Sequence, residues 1–183
     1  MNFDSFSHGQ IISKLWLCEH LEPYLPEKAT VFILGSWYNL LGSMMITRNC
    51  NQYQSILGID IDTEAVSVAD KLCETWIIEK KLCNKVGDAN TYKLEGPDVV
   101  INCSPEHMEN TDWLNNITKG TLVCIQSSNM KNDGEIWDIK QYTATIEDFV
   151  SKYQLETVLF CDTLQIRYEN NKGYDRFMMI GKK

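Results

Sequence analysis

Thr30-Val31-Phe32-Ile33-Leu34-Gly35 opens the stretch that decides the fold, and Ser55-Ile56-Leu57-Gly58-Ile59-Asp60 closes it. The first run is apolar from Val31 to Leu34 and breaks at a glycine. The second is mostly apolar and ends in a carboxylate. A strand, a glycine turn, a short helix and a second strand tipped by an acidic residue roughly 20 positions on is the outline of a nucleoside-cofactor site at the carboxyl edge of a parallel sheet.

The rest of the chain continues the alternation. Ile11, Ile12, Leu15, Trp16 and Leu21 recur at near-helical spacing, which predicts an amphipathic helix over residues 7–21 ending before Pro23 and Pro26. A helix over residues 40–47 follows the glycine turn, and another starts at Thr63 with Ala65, Val66, Ala69 and Trp76 on its apolar face. Strands are predicted at residues 82–86, 98–102 and 121–126, with short helices at 112–117 and 145–153. Two longer strands, 156–168 and 174–180, flank Glu169-Asn170-Asn171-Lys172-Gly173, a hairpin signal. The fold class expected is α/β: a three-layer Rossmann-like sandwich on a mostly parallel seven-stranded sheet with a C-terminal antiparallel hairpin. Residues 1–183 read as a single domain, with 1–28 as an N-terminal helical extension. Residues 127–142 turn polar and irregular, with a turn at Asn132-Asp133-Gly134, and form the candidate lid.

Bulk properties narrow the function. A net charge of −8 opposes the phosphate neutralisation on which nucleic-acid affinity depends, so no nucleic-acid partner is expected. No run approaches the length of a membrane span, and the N-terminus has no cationic flank leading into an apolar run, so a cytoplasmic protein is expected. Seven scattered cysteines form no C-x-x-C pair and have no histidine at zinc-binding spacing, which predicts reduced, mostly buried thiols and no metal.

The order of elements and three short motifs resemble the class I S-adenosylmethionine-dependent methyltransferase superfamily over residues 30–182. Val31-Phe32-Ile33-Leu34-Gly35-Ser36-Trp37-Tyr38-Asn39 lies where that family has its glycine-rich loop. Gly58-Ile59-Asp60-Ile61-Asp62 lies where an acidic residue accepts bonds from the ribose; Asp60 matches that position, with Asp62 as the alternative. Gly87-Asp88-Ala89 is similar to the segment bordering the adenine, and Asn102-Cys103-Ser104-Pro105-Glu106-His107 to the turn after the fourth strand. The resemblance implies S-adenosylmethionine as cofactor, held by Gly35, Ser36, Trp37, Tyr38, Asp60, Ile61, Asp88, Ala89, Asn102 and Cys103. It departs from the family pattern at Ile33, which replaces an acidic residue, and at Trp37 and Asn39, which replace glycines.

Methyl transfer from a sulfonium is an in-line displacement, so the protein has mainly to align the nucleophile and exclude water. His107, just past the fourth strand, is the candidate general base, and Glu106 is expected to orient it or to bind a cationic acceptor. Cys103 has no Lys or Arg beside it in sequence to lower its pKa and reads as a buried thiol. Trp37 and Tyr38 offer an aromatic wall to a sulfonium, or else pack under the first helix. Gln126, Ser127, Ser128 and Asn129 are candidates for the acceptor pocket, with Trp137 closing it. The function expected is methyl transfer to a small molecule or a short segment of a partner, in a pocket that is small or completed by another subunit of a homo-oligomer. The alternatives are aminopropyl or aminocarboxypropyl transfer on the same fold, and a non-catalytic nucleoside-binding scaffold, which the missing glycines favour.

Overall fold

A computed structural model describes residues 2–131, 138–168 and 172–183. The expected turn at residues 132–134, the lid residue Trp137 and most of the hairpin loop lie outside the described residues. In chain order the elements are α1 (His8–Leu21), β1 (Ala29–Leu34), α2 (Leu40–Arg48), β2 (Tyr53–Asp60), α3 (Thr63–Leu72), α4 (Glu74–Ile78), β3 (Leu82–Val86), β4 (Val99–Asn102), α5 (Asp112–Asn115), β5 (Leu122–Ser128), α6 (Ile146–Lys152), β6 (Thr157–Arg167) and β7 (Gly173–Lys182). A 3-10 turn, Phe3–Phe6, precedes α1.

The seven strands form one sheet in the order β3-β2-β1-β4-β5-β7-β6. β3, β2, β1, β4 and β5 run parallel, and β7 inserts antiparallel between β5 and β6. This is the expected α/β architecture. The chain winds outward from β1 in one direction and from β4 in the other, which opens a crevice at the carboxyl ends where those two strands meet.

Residues of the central strands β1, β4, β5 and β7 bury both of their faces, as sheets covered on each side must. Val31, Ile33, Ile101, Cys124, Met178 and Ile180 pack against Leu17, Leu21 and Met45 of α1 and α2. Their alternates Leu34, Val100, Val123, Ile125, Phe177 and Met179 pack against Trp113, Phe149 and Tyr153 on the other side. The period of two along each strand separates these two cores.

Register then sets the site. Leu34 lies opposite both Ile59 and Asn102, so the turns after β1, β2 and β4 emerge side by side. Asp60 pairs with Val86, which brings the segment after β3 to the same edge. Of the cysteines, Cys18, Cys73 and Cys124 are buried, Cys103 and Cys161 are half-buried, and Cys50 and Cys83 are exposed, the last two against the expectation of burial. All seven are free thiols.

Candidate functional site

The loop after β1 turns with a single glycine, Gly35. Gly35 has φ +61°, Trp37 +50° and Asn39 +48°, so two non-glycine residues hold the left-handed backbone that the turn demands. Asn39 carries this at low cost because short polar side chains bond locally. Its Oδ1 accepts from the Gly42 N–H at 3.2 Å and caps α2, while its Nδ2 donates to Asn84 Oδ1 at 2.7 Å.

Asp60 ties this loop to the end of β2. Its Oδ2 accepts from the Trp37 N–H at 2.7 Å and its Oδ1 from the Asp62 N–H at 3.0 Å. Each oxygen keeps a second lone pair for a further donor. Asp62 serves instead as the N-cap of α3, accepting from Glu64 and Ala65, and is exposed.

These turns line a cleft of about 500 Å³, a size typical of small-molecule sites. Gly35, Ser36, Trp37 and Tyr38 come to it from the first turn, Asp60 and Ile61 from the second, and Asp88 and Ala89 from the segment after β3. Asp88 also closes its own turn, accepting from the Asn90 N–H at 2.9 Å. Cys103, Glu106 and His107 reach the cleft from the turn after β4. Asn102 does not line it: fully buried, it accepts from the Ser104 N–H at 3.0 Å and shapes the turn from within. Gln126, Ser127 and Ser128 are buried in the sheet, and Gln126 donates to the Ser13 carbonyl at 2.9 Å.

The rings of Trp37 and Tyr38 stack at 4.8 Å, and the Tyr38 hydroxyl accepts from the Asn2 N–H at 2.8 Å. Tyr38 is thereby fixed beneath the N-terminal turn, while Trp37 stays half-buried on the cleft. His107 is exposed, and its Nδ1 lies 2.8 Å from the Asp138 carbonyl. A carbonyl can only accept, so Nδ1 carries the proton and the lone pair of the neutral ring falls on Nε2. The Glu106 carboxylate, expected to orient His107, engages Arg176 Nη1 at 3.0 Å in a buried ion pair. Burial pushes the Cys103 thiol up to about 11, although Arg176 and Lys14 partly oppose the shift. The thiol is therefore protonated and a poor nucleophile at neutral pH.

Lys14, Gln10 and Ser5 also line the cleft, and the sequence reading passed over them, together with Arg176. Arg176 had a signal: it shares a strand face with Met178 and Ile180, so the period of two turns it inward. Lys14 had a weaker one, a charge between Ile11, Ile12 and Leu15 on the apolar side of α1. Among the described residues no group of His, Cys, Asp and Glu side chains is placed to hold a metal ion, and no helix is long and apolar enough to cross a membrane.

The donor set suits a nucleoside carrying an amino-acid tail. Asp60 has spare acceptor capacity for ribose hydroxyls, Asp88 offers a carboxylate farther along the edge, and in the loop after β1 Ser36 Oγ is a buried hydroxyl with no partner among the described residues.

No protein-family model matches the chain, and no curated protein matches it in sequence. Solved structures do match in shape. The MccD protein is 14% identical with a TM-score of 0.74, over 96% of this chain and 97% of that one. A SAM-dependent methyltransferase from Methanosarcina mazei is 13% identical with a TM-score of 0.67, over 90% and 96%. Coclaurine N-methyltransferase, solved with N-methylheliamine and SAH, is 12% identical with a TM-score of 0.69, over 94% and 72%. Sheet order, reversed β7 and these likenesses together identify the class I S-adenosylmethionine-dependent methyltransferase fold.

Proposed function

We propose that the protein is an S-adenosylmethionine-dependent methyltransferase acting on a small molecule. The observation that carries this reading is the bond from the Trp37 N–H to Asp60, which draws the glycine turn and the β2 carboxylate onto one cleft. Asp60 would accept from the ribose hydroxyls, Ser36 and the backbone of the Gly35 turn would hold the amino-acid tail, and Asp88 with Ala89 would border the adenine. Bound there, the cofactor supplies a methyl group activated by a sulfonium. The chain's own work is to align the acceptor and keep water out.

His107, which lines the cleft at the turn after β4, is the group suited to take a proton from an acceptor that arrives protonated. The stacked Trp37 and Tyr38 rings present a π-face to a positive centre, a contact worth roughly 0.5 to 2 kcal/mol. The acceptor enters beside the turn after β4, the part of the cleft on the side of β1 away from Asp60.

Calorimetric titration with S-adenosylmethionine tests the reading. Wild type should bind, and Asp60→Ala should bind at least about tenfold more weakly, the loss expected for charge-assisted bonds. No heat from wild type at millimolar ligand, or equal binding by Asp60→Ala, overturns it.

A further inference from the structure

The two ends of the cleft differ in charge. Asp60 and Asp88 stand at the ends of β2 and β3, on one side of β1. Lys14 and Arg176 stand on the other, where the turn after β4 meets α1 and β7. Two strand spacings, about 10 Å, separate the ends of β2 and β4. A chain with a net charge of −8 thus builds a local cationic wall.

The wall is undercompensated. Arg176 is 7% exposed and, among the described residues, spends two of its five N–H groups, one on Glu106 Oε1 and one on the Cys103 carbonyl, with no partner for its Nε. Lys14 Nζ donates to the Gln10 carbonyl and to Gln10 Oε1, both neutral. Among the described residues it forms no ion pair. Burial lowers its ammonium to about 8, and the Arg176 guanidinium pushes the same way. Among the described residues Glu106 is the one carboxylate bonded to either cation; Asp4 faces Lys14 without pairing with it, and Glu109 and Asp138 are engaged by Lys140 elsewhere along the cleft, so the site suits a monoanion better than a phosphate dianion. A buried charge of this kind is costly until an anion brings the missing partner.

We propose that Lys14 and Arg176 form a carboxylate-binding subsite for the methyl acceptor, which makes the acceptor a small organic acid. The proposal rests on the methyltransferase reading and deepens it. Position favours the acceptor as the source of the carboxylate, because the Arg176 guanidinium bonds Glu106 and Cys103 in the turn after β4, across β1 from the Asp60 and Asp88 end assigned to the nucleoside. The carboxylate of the cofactor's own tail offers the same chemistry, and the two sources separate by experiment.

Wild type, Lys14→Gln and Lys14→Arg are titrated with S-adenosylhomocysteine and with 5′-methylthioadenosine, which lacks the carboxylate. Benzoate against benzamide, and phenylacetate against phenylacetamide, are then titrated by ligand-observed NMR with and without saturating S-adenosylhomocysteine. Wild type should prefer each acid over its amide by about tenfold, Lys14→Gln should lose that preference, and Lys14→Arg should restore most of it. Both nucleosides should bind Lys14→Gln within about twofold of wild type. Absence of acid preference in wild type, or its persistence in Lys14→Gln, overturns the subsite. A Lys14→Gln loss confined to S-adenosylhomocysteine and sparing methylthioadenosine overturns the acceptor assignment and gives the wall to the cofactor's tail. If neither nucleoside binds wild type while the acid preference stands, the methyltransferase reading fails and the anion subsite survives it.

Discussion

Lys14 shows how a single residue can hold a site in tension. Its ammonium sits at about 8 in the folded chain against an ordinary 10.5, with burial as the main cause. Asp4, Cys18, Cys103 and Arg176 face it from the N-terminal turn, its own helix, the β4 turn and β7, and all four remain when the lysine is replaced. Below pH 8 both folded and unfolded chains carry the charge, and the folded state bears the full cost of burying it. Between pH 8 and 10.5 the unfolded chain binds more protons than the folded one, so this group's contribution to stability improves as pH rises. Lys14→Met should therefore melt above wild type at pH 7, and the gap should narrow steadily toward pH 10. Parallel thermal melts across that range check it, and a gap that does not change with pH removes the uncompensated-lysine account.

At the scale of elements, the loop from β1 into α2 depends on Asn39. This buried residue holds φ at +48°, caps α2 and bonds Asn84. Gly58 leaves it room: a Cβ there would lie 2.4 Å from Asn39 Nδ2 and 2.8 Å from Ser36 Oγ. Asn39→Ala loses the cap and the Asn84 bond and sets an alanine in the left-handed region, about 3 kcal/mol in sum. Asn39→Gly loses the same bonds but not the backbone conformation, so it should be less destabilised by about 1 to 2 kcal/mol in urea unfolding. Equal stability of the two variants would falsify the claim that the left-handed turn, rather than the cap, sets the residue here. The element order was legible because strand runs and helix periods alternate, and β3 falls on its expected bounds at Leu82–Val86, although the helix expected from Thr63 through Trp76 breaks at Cys73 into α3 and α4. Asn39 belongs to the residue types that reach positive φ at low cost. Trp37 at +50° was not legible, because no local rule places a tryptophan there; the bond from its N–H to Asp60 holds it, and that bond spans 23 residues.

Across the whole molecule, the parts of the site that escaped the sequence are those made by pairs far apart in the chain. Arg176 and Glu106 are 70 positions apart, and neither local periodicity nor motif spacing joins them. Register does: Arg176 lies opposite Ser128 at the end of β5, next to the turn that follows β4. The pair locks three segments at the cleft. Arg176 holds β7 to the Cys103 carbonyl, Glu106 stands in the β4 turn, and the Glu106 carbonyl accepts from the N–H groups of Lys140 and Gln141. With side chains only 8% and 5% exposed, either partner left alone is a charge without compensation. Arg176→Met and Glu106→Gln should each cost about 3 to 5 kcal/mol, and the double replacement should cost less than the sum because neither charge of the pair is left unpartnered. A double-mutant cycle in guanidinium measures this, and a coupling below about 0.5 kcal/mol means the two act independently. The same cycle followed by nucleoside titration separates stability from site assembly: Asp60 lies on the far side of β1, so the double variant should keep its nucleoside affinity while losing discrimination at the acceptor end.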